Sequence, residues 1–218
     1  MATSGKIVDL RALLAERFPS PALTTGNILT TGIAAIDPII GGGLPKGAVT
    51  ELISPQMSAG SASLIAALLK SAHRGRYFLA LIDGSDSFDP QPLGNACLQH
   101  LLWLRCRTTC EAMKGADLLL RDGNFPLVII DLVLNSAREV RKIPQTSWYR
   151  LQRLVEPTAT AFLVLTRCNT VSSAQLKIVL ENGWTLQTFT QNDAVSHLST
   201  RIQRSHRFQQ AIFNAGAS

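Results

Sequence analysis

The chain of 218 residues predicts an α/β domain built on a mainly parallel sheet. Three observations carry that expectation. Five short runs, 49–53, 77–82, 101–104, 127–134 and 161–166, read as strands apolar on both faces, as a sheet covered on both sides requires. Segments with helical spacing separate them, the pattern of strand–helix–strand units. Residues 184–190 and 197–203 alternate more strongly, as an antiparallel pair added at the sheet edge would.

The elements follow in order. Residues 1–25 read as an arm. Within it, 9–18 is one amphipathic helix with Leu10, Leu13, Leu14 and Phe18 on one side, broken by Pro19-Ser-Pro-Ala. A Gly-Gly-Gly-Leu-Pro turn at 41–45 leads into strand 49–53. Helix 61–72 follows, with Leu64, Leu68 and Leu69 at helical spacing. Strand 77–82 ends at Asp83. Helix 108–120 turns Ala112, Ala116, Leu119 and Leu120 inward, and helix 145–155 precedes the fifth strand. The core domain is predicted over 26–207 and a tail over 208–218, with Ile212 and Phe213 on one helical side of it.

Composition agrees. The chain is 46% hydrophobic and 17% charged, which suits a domain that buries a core. It has no apolar run of 18 or more residues, which argues against a membrane-spanning helix. Its first 16 residues hold one lysine and no sustained apolar stretch, so a cytoplasmic protein without a secretory leader is expected. Cys97, Cys106, Cys110 and Cys168 form no C-x-x-C pair and have no paired histidines, so reduced thiols are expected rather than a zinc site. A net charge of +6 and a pI near 9.5 permit nucleic acid or acidic proteins as partners.

One stretch is specific. Thr31-Gly-Ile-Ala-Ala-Ile-Asp-Pro-Ile-Ile-Gly-Gly-Gly-Leu-Pro-Lys-Gly, followed by strand Thr50-Glu-Leu-Ile, resembles the opening of the RecA core. In that family a T-G-x-x-x-L-D segment and a G-G-L-P-x-G turn precede the first strand. The resemblance runs to Asp131 and more loosely to Thr166, roughly two thirds of the chain. It implies a RecA-like, P-loop-type three-layer sandwich.

A working phosphate loop reads G-x-x-x-x-G-K-[ST]. Its glycines let backbone N–H groups close on phosphates, its lysine neutralises them and its hydroxyl holds magnesium. Here Ser54 and Ala59 replace the glycines, Gly60 stands at the lysine position, and only Ser61 matches. Shifting the register by one restores a glycine at Gly60 but puts Ser61 at the lysine position and Ala62 at the hydroxyl position. The lost lysine removes a charge-assisted hydrogen bond of about 1.5–3 kcal/mol. The family's catalytic glutamate position is Ser85, two residues after Asp83; Asp86 and Asp89 are near but out of register. The Walker B position survives as Asp131. The expectation is therefore a degenerate ATPase with no catalytic residue, no metal and no cofactor, in which Ser54, Gly60, Ser61 and Asp131 are vestigial.

A narrower resemblance adds to this. Leu101-Leu-Trp-Leu-Arg, Thr109-Cys-Glu-Ala-Met, Leu119-Leu-Arg-Asp-Gly-Asn-Phe-Pro-Leu-Val and Leu151-Gln-Arg-Leu-Val-Glu look like ImuA-type proteins, RecA-like accessory proteins of damage-induced mutagenesis cassettes. That resemblance implies RecA and an ImuB-like Y-family polymerase homologue as partners in translesion synthesis. SulA-like inhibitors of the division protein FtsZ are similar only after Leu101, and a weak nucleotide-binding RecA paralogue is the other alternative. For contacts to single-stranded DNA or to partners, the candidates are Arg138, Arg141 and Lys142 in a loop at 135–146, a second short loop beginning at Arg167, and Arg201, Arg204 and Arg207 in the basic tail.

Overall fold

The computed structural model describes residues 27–56, 60–181 and 198–205. The predicted arm, strand 184–190, Arg207 and the tail lie outside them. In chain order the elements are β1 (Ile28–Leu29), β2 (Leu44–Pro45), β3 (Ala48–Ile53), α1 (Ser61–Gly75), β4 (Leu79–Asp83), α2 (Asn95–Leu98), β5 (Leu101–Arg105), α3 (Thr109–Asp122), β6 (Leu127–Asp131), α4 (Ala137–Arg141), α5 (Gln145–Val155), β7 (Ala161–Thr166), β8 (Leu176–Leu180) and β9 (Thr200–Ser205).

Strands β3 to β9 form one sheet in the order β5-β4-β6-β7-β3-β8-β9. The first six in that order are parallel, and β9 closes the edge antiparallel to β8. Strand side chains alternate between two cores. Leu52, Leu81, Ile129 and Leu163 meet Leu64, Leu68 and Leu69 of α1 on one face. Val49, Ile82, Ile130 and Val164 meet Ala112 and Ala116 of α3 and Trp148 and Leu151 of α5 on the other. This is the three-layer arrangement expected of strands apolar on both faces. All six parallel strands end at the same edge, which places Ser54, Asp83, Asp131 and Thr166 along it.

The ends of the helices are set by local chemistry. In α3, Thr108 accepts from the Glu111 amide and the Glu111 carboxylate accepts from the Arg107 amide, a capping-box exchange at the N-terminus. Gly123, at φ 69°, ends the same helix.

Two expectations are corrected. The run 127–134 is a strand only to Asp131, because residues 132–136 leave the ladder to begin α4. Residues 137–141, expected within a loop, are helical; Ser136 accepts from the Glu139 amide there, a cap short enough to be overlooked in a polar stretch. Within the described residues β9 pairs with β8, at 176–180, a strand the sequence reading did not include; the expected partner 184–190 lies outside them.

The glycine turn before β3 has a steric reason. Gly43 has φ 155°, and a Cβ there would land on the carbonyl of Leu29, whose strand pairs β2 across the turn. Gly41, at φ 79°, has open space around it. Gly43→Ala is expected to cost about 3 kcal/mol or more, since backbone must move. Gly41→Ala is expected to cost about 1 kcal/mol. Urea denaturation midpoints check the order, and equal losses would refute the steric account.

Candidate functional site

The C-terminal edge of the sheet is where α/β folds of this kind place ligands. Each candidate residue there is held by its neighbours. Ser54 follows β3; its amide donates to the Thr166 carbonyl at 2.7 Å, and its hydroxyl is buried without a partner. Gly60 caps α1 at φ 100°, a left-handed geometry that favours glycine, and its carbonyl accepts from the Leu64 amide. Ser61 opens α1 and is half-buried. Among the described residues of the turn from Ser54 to Ser61 there is no cation, and residues 57–59 contribute none by sequence.

Asp83 ends β4 fully buried. Its carboxylate accepts from the amides of Ser85 (3.3 Å), Ser87 (3.0 Å) and Phe88 (2.8 Å), from the Ser87 hydroxyl (3.4 Å) and from the Trp103 indole (3.3 Å). The loop after β4 is wound around this one carboxylate, and Ser85 is one of its donors. Asp86, at φ 53°, pairs with Arg105, whose guanidinium lies 5.0 Å from the centroid of Trp103. That pairing holds the Asp86 carboxyl below its usual range, but both groups are exposed. Asp89 accepts from the Gln91 amide. Trp103 and Arg105 of the Leu-Leu-Trp-Leu-Arg phrase thus clamp the acidic loop against the edge strand β5.

Asp131 sits directly beside Asp83 in register. Its Oδ1 accepts from the Val133 amide at 3.0 Å. Burial pushes the carboxyl up to about 6; the Val133 amide pulls it partly back, and the neighbouring Asp83 adds to the rise. Among the described residues no group of three or more His, Cys, Asp or Glu is placed to hold a metal ion.

The charge that sequence reading passed over is Glu51, in the middle of the interior strand β3. It is completely buried and forms an ion pair with Lys177, in register beside it on β8, at 2.7 Å from Nζ to Oε2. Its other oxygen accepts from the Thr170 amide (2.7 Å), the Val171 amide (3.0 Å) and the Thr166 hydroxyl (3.1 Å). Lys177 also donates to Asn169. The available signal was a charge inside each of two apolar runs, far apart in sequence; only strand pairing joins them.

The basic candidates fall into two groups. Arg138, Arg141 and Lys142 are exposed on and just after α4. Arg201 lies on β9 at the far edge and pairs with Glu181, and Arg204 stands in the same strand opposite Lys177. Arg167 is exposed at the end of β7.

This architecture, with β3 turning through a short loop into α1 and acidic residues closing β4 and β6, defines a RecA-like α/β domain. No protein-family model matches the chain. The chain is 34% identical over 122 residues to RecA of Clavibacter michiganensis subsp. michiganensis, a match covering 54% of this chain and 32% of that protein. It is 31% identical over 111 residues to RecA of Thermus aquaticus and 32% identical over 111 residues to RecA of Methylococcus capsulatus, each match covering 49% of this chain. The similarity thus spans about a third of the length of these RecA proteins.

The Asp131 carboxyl supplies a test. Its folded value, near 6, lies above the unfolded 3.8, so the stability it contributes is complete below pH 3.8 and is lost as pH rises through 6. Asp131→Asn cannot ionise and still offers an oxygen to Val133. It is expected to gain about 2–3 kcal/mol relative to the unchanged protein at pH 8, and much less at pH 4. Chemical denaturation at the two pH values measures this, and a pH-independent difference would refute it.

Proposed function

We propose that this chain is a non-catalytic RecA-like accessory protein of the ImuA type. In this reading it works by contact, binding an ImuB-like Y-family polymerase homologue, RecA, or both, in damage-induced translesion synthesis and mutagenesis. The observation that carries it is electrostatic: the turn between β3 and α1 has no cation to meet a polyphosphate. The nearest buried ammonium, Lys177, is already neutralised by Glu51. Asp83 is surrounded by five donors, and serine stands where the family's water-activating glutamate belongs. ATP with magnesium does not suit such a site. The phrases around Leu101, Thr109, Leu119 and Leu151 supply the ImuA part of the reading.

A second reading, a weak nucleotide-binding paralogue, draws on Asp131, whose raised carboxyl is the kind of perturbed group that functional sites contain. Calorimetric titration with ATP and magnesium separates the two. The accessory reading expects no binding at micromolar concentrations and no ATP turnover. It also expects purified ImuB-like protein or RecA to be retained on the immobilised chain. Turnover abolished by Asp131→Ala establishes the second reading instead, and retention of neither protein removes the first.

A further inference from the structure

The geometry assigns a docking surface to the β7–β8 loop and the adjoining first turn of α5, and we propose that it receives an acidic segment of a partner protein. This rests on the reading of the chain as a partner-binding domain. The loop, residues 167–175, is held in shape from two sides. From below, Glu51 takes the amides of Thr170 and Val171, and Lys177 holds Asn169. From the side, Gln145 at the start of α5 donates to the Thr170 carbonyl at 3.2 Å and accepts from the Ser172 hydroxyl. A buried ion pair adds little net stability compared with apolar packing, but it fixes one arrangement when both partners are present. A loop held this way meets a partner with its ordering cost already met.

The outside of this unit is basic. Residues 136–150 and 167–175 contain five cations and one carboxylate, Glu139. Arg150 turns to Asp117 of α3. The remaining four, Arg138, Arg141, Lys142 and Arg167, are exposed and have no ion pair among the described residues. Tyr149, one helical turn beyond Gln145, is 49% exposed. An exposed tyrosine on a preformed surface that carries these cations suits an acidic segment with an apolar anchor.

A single nucleic-acid strand suits it less well. Sequence-tolerant strand binding stacks successive bases on several aromatics, and Tyr149 is the only aromatic among the exposed large hydrophobics of the described residues. Two of the loop amides that could meet phosphates, those of Thr170 and Val171, are already bound to Glu51.

The test uses the full chain and two fluorescent probes, a short synthetic peptide of glutamates flanking a leucine pair, and single-stranded oligothymidylate, followed by anisotropy at low and moderate salt. Three variants are compared: Arg141→Glu with Lys142→Glu, Tyr149→Ala, and Arg74→Glu as a charge control at the end of α1, on the other face of the sheet. Thermal midpoints confirm that each is folded. The peptide is expected to bind the unchanged chain, to lose about tenfold in affinity with the double reversal and about fivefold with Tyr149→Ala, and to be unaffected by Arg74→Glu. Absence of peptide binding, or equal weakening by Arg74→Glu, overturns the assignment. So does oligothymidylate binding that the double reversal abolishes while the peptide does not bind. Such failure without ATP turnover removes this surface alone; ATP turnover removes the accessory reading whatever the peptide does.

Discussion

A carboxylate in the middle of a seven-stranded sheet stays ionised only if a cation and hydrogen-bond donors surround it, and in this protein the surroundings of Glu51 join the parts of the fold that matter most. Lys177 from β8 supplies the charge, and the Thr166 hydroxyl and two amides of the β7–β8 loop supply the donors. Three neighbouring strands and a loop are thereby tied to one side chain. Removing either charge would leave the other buried and unpaired, a loss of about 3–5 kcal/mol, whereas apolar packing in place of both would be close to neutral. The pair is therefore better understood as fixing geometry than as adding stability.

The same logic applies along the rest of the sheet edge. Here Asp83 faces backbone amides and becomes the post around which the following loop winds. Asp131 is left with one amide and a like-charged neighbour, and its raised carboxyl is the electrostatic consequence. A scaffold that resembles RecA over about half of its length thus encloses the Asp83 carboxylate within its own loop. Partner contact at such a surface is the basis of the proposed function.

How far the sequence could be read depended on the range of each interaction. The strands around Leu79, Leu127 and Ala161 and the helices around Leu64, Ala116 and Leu151 were legible because periodicity and burial are local properties. The degenerate phosphate loop was legible because the chemistry it lacks, a lysine between Ser54 and Ser61, is a matter of residue identity. β8 was missed because Lys177 interrupts its apolar pattern, and α4 because five residues are too few to show a period. The pairing of the C-terminal strand with β8 was missed for the first of these reasons.

By itself, the sequence determined a covered parallel sheet, a glycine-rich turn before its first strand, and the absence of a cation at the phosphate turn, because each follows from residue types and spacing over a few positions. Only the tertiary structure decided that Glu51 and Lys177 meet, that Asp83 is enclosed by its own loop, and that Arg201 is paired while Arg141, Lys142 and Arg167 have no ion pair among the described residues. Those outcomes depend on which strands lie side by side, and strand order is set by the packing of the whole sheet between its two layers of helices, which no local pattern encodes.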